Sequence, residues 1–515
     1  MDPLQHHGHD DARRGLLSSS RGTLLGVLPR EGLMTGLGLG ILFISIFAVS
    51  RFVIGTVGVT MFTMLLVIGL FGVLYFFASW RSLVIPYFIM VLAVGGFRFL
   101  WFVEMPGLPD LYIDRMAMIW VAVLFCVKSV VLRKALRPPF TLDTLLVVNA
   151  LYLFFGVLYH DFINFNLWTK SYVIPYVAYF MAKNIVVRQK TMRSLIFLFA
   201  ILNVYYAVTS IGEKFRIANM VWPHSILYAE TIWRKRSNGP FAHAPLFGTV
   251  QGMILPMYLY ITATSKHRLV QVLSYLGLVV GVGGLYFTYT RGSWLAGIVA
   301  LLVAIALNRR QYLRLTAPAV VLLPLIAVFV LGAGNDQVMK DRVENEDTMA
   351  SRVGVAVTAV RMWQDNPIFG VGFFRFWFER ENYVDPVEVP LFGTIRFANF
   401  RHTSIHDIYL GPLAETGLVG TLLQLAIYLT ILRAFIRHYR NRDGPVHFRR
   451  FIMPVMGGLF AGYLVGGIAI DYRFFSMVGV MFYSMAGIMY GYTGDDVMPE
   501  VPGSESDGRT IHEKP

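Results

Sequence analysis

The sequence predicts an all-α integral membrane protein with about 12–14 transmembrane helices. Of the 515 residues, 56% are hydrophobic and 15% are charged, whereas soluble globular chains carry about a quarter charged residues. The hydrophobic residues also fall into repeated runs, each long enough to cross a bilayer as a helix of about 20 residues. These two observations exclude a soluble multidomain enzyme as the fold class.

The length of the apolar runs and their basic flanks predict about fourteen spans. Links predicted to face the cytoplasm are rich in Lys and Arg residues, and the short outer links hold few, so the charge alternation supports this count. The predicted spans are 33–50, 54–78, 82–102, 114–132, 141–159, 171–186, 192–212, 244–265, 269–289, 293–308, 314–332, 408–432, 451–470 and 474–492.

The spans divide the chain into five regions. Both chain termini are predicted to be cytoplasmic, and no signal-peptide cleavage pattern precedes the first span. Two outer segments, 213–243 and 333–407, are too long for simple turns and are expected to carry function. The regions are the N-terminal tail 1–32, the N-terminal transmembrane bundle 33–212, the candidate catalytic region 213–432, the C-terminal helices 433–496 and a disordered tail 497–515.

The outer segment 333–407 contains a predicted short helix near 349–363. Val353, Val357 and Val360 recur there at helical spacing. We interpret it as an amphipathic element at the membrane surface.

Net charge and cysteine content limit the binding partners and covalent links that the sequence allows. The formal net charge of +14 is typical of binding to nucleic acid or anionic lipid, but in a membrane protein it indicates positive-inside topology. We therefore expect membrane lipids and no nucleic acid as partners. Cys126 is the single cysteine, which excludes an intramolecular disulfide and a cysteine-based metal site.

The first stretch whose residues could bind substrate or act in catalysis is Arg-Lys-Arg-Ser-Asn-Gly-Pro-Phe-Ala-His at 234–243. It places Arg234, Arg236 and His243 on the predicted outer face, against the positive-inside bias, and its Gly-Pro pair predicts a turn before the next span. The alternative is a set of basic residues that anchor this span in lipid headgroups.

The second stretch is Thr-Arg-Gly-Ser-Trp at 290–294, in a short link between two spans. Arg291 has five fixed donors, which suit phosphate or diphosphate oxygens. Gly292 allows close backbone approach, and Ser293 is expected to cap the next helix. The alternative is an interfacial arginine beside a tryptophan of the aromatic belt.

The third stretch runs from 401 to 420 and contains His402, His406 and Asp407 at the mouth of a span. A histidine there can accept a proton from a sugar hydroxyl, because it titrates near neutral pH. Asp407 is a candidate for orienting a neighbouring group. The alternative is a hydrogen-bonded interfacial histidine.

This third stretch resembles the His-Asn-x-x-Leu…Glu-x-Gly-Leu-x-Gly pattern of the O-antigen ligase/O-antigen polymerase superfamily, with Asp407 in place of the usual Asn. The stretches at 236–248, 290–294 and 351–373 resemble other motifs of this family in the same order. The resemblance covers about 230–425, and the N-terminal half is similar only in being polytopic.

The resemblance implies a metal-independent glycosyltransferase without a cofactor, in the bacterial inner membrane, with a periplasmic site. Its donor would be an undecaprenyl-diphosphate-linked glycan, and its acceptor lipid A–core, another glycan or a protein. By this resemblance, Arg236 and Arg291 bind the diphosphate and His406 is the general base. Second-rank substrate-binding candidates are Arg234, His243, Arg352 and His402.

Several functions stay open at this point. Ligase, polysaccharide polymerase and protein O-glycosyltransferase are not separated by the sequence. A transporter or flippase for lipid-linked glycans would also need many helices, but it is expected to carry charges deep in its spans or paired broken helices. A scaffolding membrane protein would not need a histidine beside two arginine stretches.

Overall fold

The structure is a computed structural model. The chain forms two compact units, Met1–Pro86 and Tyr87–Pro515, and the first is described only at residues 82–86. The predicted tails 1–32 and 497–515 and the predicted spans 33–50, 54–78 and 314–332 lie outside the described residues. The structure describes residues 82–97, 102–103, 111–131, 140–160, 165–222, 224–228, 236–313, 347–389, 393–395, 405, 407–441 and 444–492.

The described residues are helical apart from two short antiparallel hairpins, β1–β2 and β3–β4. The strands are β1 Phe102–Val103, β2 Leu111–Tyr112, β3 Val387–Val389 and β4 Gly393–Ile395. The described α-helices of nine or more residues are α1 Val84–Leu92, α2 Ile113–Val131, α3 Thr141–His160, α4 Ile174–Ile185, α5 Gln189–Phe215, α6 Ala244–Thr264, α7 Arg268–Tyr286, α8 Arg291–Leu307, α9 Asp347–Asp365, α10 Leu410–Arg440, α11 Met453–Gly466 and α12 Ser476–Gly491.

The predicted all-α membrane class is confirmed. Five of the described helices, α3, α5, α6, α7 and α10, are long and apolar enough to cross a membrane. The other predicted spans within the described residues coincide with the 19-residue α2 and with shorter helices, three of which adjoin a π-helical turn. These turns are Ala93–Phe97 after α1, Thr169–Val173 before α4 and Phe448–Ile452 before α11.

Helix α6 is the centre of the described bundle, since 94% of its most apolar 18-residue stretch is buried. Close contacts of α6 with α8, and of α8 with α11, depend on glycine. A Cβ on Gly252 would lie 2.8 Å from the Gly297 Cα of α8, and a Cβ on Gly462 of α11 would lie 3.0 Å from the Ala296 carbonyl oxygen. Small residues at such crossings let helix backbones approach closely, which is how helices gain packing energy inside lipid.

A buried ion pair joins α3 to α4. The Lys183 Nζ lies 2.5 Å from the Asp143 Oδ2, and the Tyr179 hydroxyl donates to Asp143 Oδ1 at 2.6 Å. Gly487 and Gly491 bring α12 onto the backbone of α4 beside this pair. Charges inside a membrane protein are stable when they are paired in this way.

Helix α10 is broken at Gly417, which has φ 61° and ψ −161°. Segment 367–372 docks into the break through four backbone hydrogen bonds. Val371 and Gly372 donate to the carbonyls of Ala414 and Glu415, at 3.0 and 2.8 Å. In return, Leu418 and Val419 of α10 donate to the carbonyls of Pro367 and Ile368, at 2.9 and 3.2 Å. The segment therefore supplies the partners that the helix loses at its break.

Helix α9 covers the predicted short helix at 349–363. Its buried face is Val355, Ala359 and Met362, which pack with Phe376, Ile405 and Ala414 in one apolar cluster. The predicted face of Val353, Val357 and Val360 is only half-buried. The position of α10, which the local sequence does not specify, decides which side of α9 is covered, and the location of the valine face at the membrane surface stays a prediction.

Gly417→Ala is expected to destabilise the protein by about 2 kcal/mol or more, because this backbone conformation is essentially open to glycine alone. The new Cβ would also overlap the Ile368 carbonyl. The measurement is thermal unfolding of the purified protein in detergent, together with the rate of proteolysis within 363–373.

The matched control is Gly283→Ala in α7, where a new Cβ meets no atom within 4 Å. It should unfold like wild type. Equal melting temperatures for the two variants would contradict the docking of segment 367–372 into the break.

Candidate functional site

The first predicted stretch, 234–243, is held by the end of α5. The Glu213 carboxylate accepts hydrogen bonds from the backbone N–H groups of Asn238, at 2.6 Å, and Gly239, at 2.8 Å. Gly239 has φ 55°, and a Cβ there would overlap the Phe247 ring. The predicted turn is therefore present and requires glycine. It follows directly on Arg236, which is half-buried.

Hydrogen bonds join each of the first two predicted stretches to the chain directly beside the other. The Ser237 N–H donates to the Phe287 carbonyl at 3.1 Å, and the Ser293 hydroxyl donates to the Pro245 carbonyl at 2.7 Å. The prediction that Ser293 caps the helix was wrong. Thr290 is the N-cap residue, and Ser293 lies in the first turn, where a nearby carbonyl from α6 takes its hydroxyl.

Arg291 is the first residue of α8, and its side chain is exposed. The following Gly292 allows the close approach that the sequence predicts, but the approaching group belongs to the chain itself. A Cβ on Gly292 would lie 2.7 Å from the Ala469 Cβ. The guanidinium therefore lies at a helix N-terminus, where its charge adds to the positive end of the helix dipole.

Helix α9 brings Arg352 towards Arg291. Desolvation lowers the pKa of Arg352, and the positive charge of Arg291 lowers it further. The two guanidinium groups are therefore within electrostatic reach of each other. An anion bound between them would relieve their repulsion.

The third predicted stretch forms the start of α10. Asp407 Oδ1 accepts the backbone N–H groups of Tyr409 and Leu410, at 2.5 and 2.8 Å. Asp407 thus caps α10, and burial raises the pKa of its carboxyl group. The Ile408 N–H donates to the Gly467 carbonyl at 2.9 Å. These bonds fix the chain immediately after position 406.

Three predicted site residues, Arg234, His402 and His406, lie outside the described residues. On the N-terminal side of position 406, the structure buries Ile405 in the apolar cluster of α9 and α10. His243 is described. Its Nδ1 accepts the Leu246 N–H at 3.2 Å as the N-cap of α6, and its ring packs on Phe475 with centroids 4.8 Å apart. These contacts give His243 a structural role, and its binding role stays a prediction.

The link 467–475, between α11 and α12, contacts all three stretches. Its Gly467 accepts a hydrogen bond from Ile408, its Ala469 packs on Gly292, and its Phe475 packs on His243. The sequence carries no local signal for this link, because it is short and its partners come from distant parts of the chain.

Arg473 in this link is buried between two carboxylates. Its Nη1 lies 3.1 Å from Glu415 Oε2 in α10, and its Nη2 lies 2.8 Å from Asp471 Oδ2. A second bond joins Arg473 Nε to Asp471 Oδ1 at 3.0 Å. Burial alone would lower the pKa of Arg473, but the two carboxylates hold it above its usual value. The arginine therefore stays charged and ties the link 467–475 to α10.

The N-terminal half also reaches this end of the bundle. A cavity of about 70 Å³ is lined by Asp114 of α2, Pro240 and Phe475, among others, and it has room for only a few water molecules. The neighbouring Arg115 is buried and hydrogen-bonds Asn166. We missed both residues because they fall at the start of a predicted span. The signal in the sequence is an Asp-Arg pair within an otherwise apolar run.

Together, the helices and this face define an integral membrane protein in which Arg291 and Arg352 lie within electrostatic reach of each other, at the end of the bundle where α6, α8 and α10 begin. Residues 276–425 match the family model described as O-antigen ligase. This match supports the predicted assignment to the O-antigen ligase/polymerase family, whose enzymes are of the glycosyltransferase type. A comparison with curated proteins found no match.

The matched region contains most of the predicted site. Arg291, Arg352, His402 and His406 lie inside it, and Arg234, Arg236 and His243 precede it. The match over this region supports an O-antigen ligase-like function in general.

Glu415→Ala is expected to destabilise the protein by about 3 kcal/mol, because it leaves buried Arg473 with one carboxylate instead of two. The measurement is unfolding of the purified protein in detergent. Glu379→Ala is the matched control, since it removes a partner from the half-exposed pair with Arg375 at 2.6 Å. That change is expected to cost less than about 1 kcal/mol. Equal losses would show that the Arg473 pair does not hold the link.

Proposed function

We propose that the protein transfers a glycan from an undecaprenyl-diphosphate-linked donor to an acceptor hydroxyl at the periplasmic face of the bacterial inner membrane. The observation that carries the proposal is the contact between the Arg236 and Arg291 stretches at the end where α10 begins after His406. The O-antigen ligase match over this region supports the same reaction class.

The arginines bind the diphosphate of the donor. Arg291 offers fixed donors at a helix N-terminus, and both features favour phosphate oxygens. Arg352 lies within electrostatic reach of Arg291, so a diphosphate bound between them replaces a repulsive pair by two attractive ones. Arg236 directly precedes the turn that Glu213 holds, and we assign it to the same diphosphate.

His406 acts as the general base. The acceptor hydroxyl gives its proton to the His406 imidazole as its oxygen attacks the anomeric carbon of the donor. The bond from that carbon to the diphosphate oxygen breaks, and undecaprenyl diphosphate leaves with the electron pair. Arginines already in place stabilise this developing charge. Direct displacement of this kind inverts the anomeric carbon and uses no metal or cofactor.

Charge at the two ends of the bundle supports the proposed orientation. Helices α8 and α10 end among the arginines of 309–310 and 433–450, opposite the candidate site. Basic links remain cytoplasmic in inner-membrane proteins. The site would then be periplasmic and the chain termini cytoplasmic.

Two alternatives belong to the same class of enzyme, and a third is a transporter. A polysaccharide polymerase or a protein O-glycosyltransferase would use the same site with a different acceptor. A lipid-linked glycan flippase is less well supported, because the buried charges Asp143 and Lys183 of α3 and α4 pair with each other, and Asn203 and Gln251, buried within α5 and α6, are uncharged. A transport pathway for an anionic lipid is expected to place charged side chains there.

His406→Ala is expected to lower the transfer rate by about 10²–10⁴-fold, the usual contribution of a general base. Arg291→Ala is expected to lower it by about 10²–10³-fold through lost stabilisation of the leaving diphosphate. The assay uses the full chain in liposomes with undecaprenyl-diphosphate glycan and, separately, lipid A–core, free glycan or peptide acceptors.

Arg268→Ala is the control, since Arg268 is exposed at the opposite end of the bundle. Its rate should equal that of wild type. Full transfer by both site variants would refute the residue roles. Donor movement across the bilayer without transfer to any acceptor would instead support a flippase.

Addition of EDTA is expected to leave the transfer rate unchanged, because guanidinium groups neutralise the diphosphate in this mechanism. The measurement is the initial rate before and after chelation. A large loss that Mg²⁺ restores would contradict the arginine-based mechanism.

A further inference from the structure

The end of the bundle opposite the candidate site contains a second, larger cavity, of about 540 Å³. It lies between the ends of α8 and α10 and the turn that leads into α11. Its volume falls within the usual range of ligand sites, about 300–1,000 Å³. Six of the residues that line it are Asn308, Tyr439, Arg440, Val446, Arg449 and Arg450.

Hydrogen bonds hold the walls of this cavity in place. The Tyr439 hydroxyl of α10 donates to the Leu307 carbonyl of α8 at 2.9 Å. The Asn308 Nδ2 donates to the Arg450 carbonyl at 2.6 Å. The Arg449 Nη1 donates to the Asn441 carbonyl at 3.1 Å. Each wall is thus tied to a neighbour, and the cavity is part of the folded bundle.

The cavity has a strong positive charge. Three arginines line it, and its described lining residues include no Asp or Glu. The C-termini of α8 and α10 each contribute about half a negative charge, and the helical turn Phe448–Ile452 begins nearby with about half a positive charge. The three positive guanidinium charges outweigh the small net negative charge of these helix ends. The cavity therefore favours an anion, and arginine suits phosphate oxygens in particular.

Apolar surface adjoins this charge. Val446 at the cavity is 61% exposed, and Ile436 of α10 and Leu302 of α8, on the helices that lead to it, are 41% and 60% exposed. Positive-inside topology alone requires arginines on one side of the membrane, but not three of them around one cavity. A ligand with a phosphate head and apolar chains fits both surfaces.

We propose that this cavity binds the headgroup of an anionic phospholipid, with the acyl chains along the exposed faces of α8 and α10. The arginines take the phosphate, and Asn308 and Tyr439 shape the walls around it. The site is at the opposite end of the bundle from the glycan-transfer site, so it does not depend on the proposed reaction.

The test is native mass spectrometry of the full-length protein, released from detergent with added phosphatidylglycerol, cardiolipin or phosphatidylcholine. Wild type should retain the two anionic lipids in preference to phosphatidylcholine. Arg440→Ala/Arg449→Ala should weaken retention of the anionic lipids by about fivefold for each arginine. Arg268→Ala, an exposed arginine at the same end of the bundle but outside the cavity, should leave retention unchanged.

A charge-preserving variant separates binding from folding. Arg440→Lys/Arg449→Lys should keep most of the preference for anionic lipid, because it keeps both charges. Equal retention of anionic and zwitterionic lipid by wild type would overturn the proposal. So would equal losses in the cavity variant and the Arg268 control. Displacement of the lipid by millimolar glycerol phosphate would also overturn it, since it would indicate a site for a soluble anion.

Discussion

The buried Arg473 is the constraint on which the candidate site depends. A guanidinium removed from water needs compensating charge, and here Asp471 and Glu415 supply it. Glu415 belongs to α10, whereas Arg473 and Asp471 belong to the link 467–475. Because this link contacts all three site stretches, the ion pair positions surfaces that are far apart along the chain. The need to neutralise buried Arg473 thus helps to fix the positions of the three site stretches.

The break in α10 also holds distant segments of the chain together, through backbone hydrogen bonds. At Gly417 the helix gives up its own hydrogen bonds, and segment 367–372 replaces them. The Asn-Pro-Ile-Phe-Gly-Val-Gly stretch and the Glu-x-Gly stretch are therefore two halves of one joint. Through this joint, the segment that follows α9 is fixed to α10, while Arg352 on α9 approaches Arg291 on α8. The motif residues around the arginines fix the backbone, and the fixed backbone positions the arginines.

Much of this organisation follows from the sequence, because apolar length and charge alternation are strong local signals. The helices of the described spans and the positions of Arg236 and Arg291 near helix starts are examples. Tertiary contacts are not local signals. Ser293 looks like a cap in its own stretch, but the Pro245 carbonyl, 48 residues away, takes its hydroxyl. Arg473 finds Glu415 at a separation of 58 residues. Neither partner can be identified from spacing alone, and the roles of His406, Arg236 and Arg291 still await experiment.

The shortness of α8 has a consequence for the bilayer around the protein. Its 17 residues rise about 26 Å, whereas the hydrocarbon core of a typical membrane is about 30 Å thick. Arg291 begins this helix, and the polar Asn308 follows its end. For both ends to meet the headgroup layers, the membrane must thin around α8, at a cost of a fraction of a kcal/mol per ångström, or the flanking side chains must reach outwards. Arg291 would then lie at the lipid boundary, where the proposed polyprenyl-linked diphosphate donor could meet it without leaving the membrane.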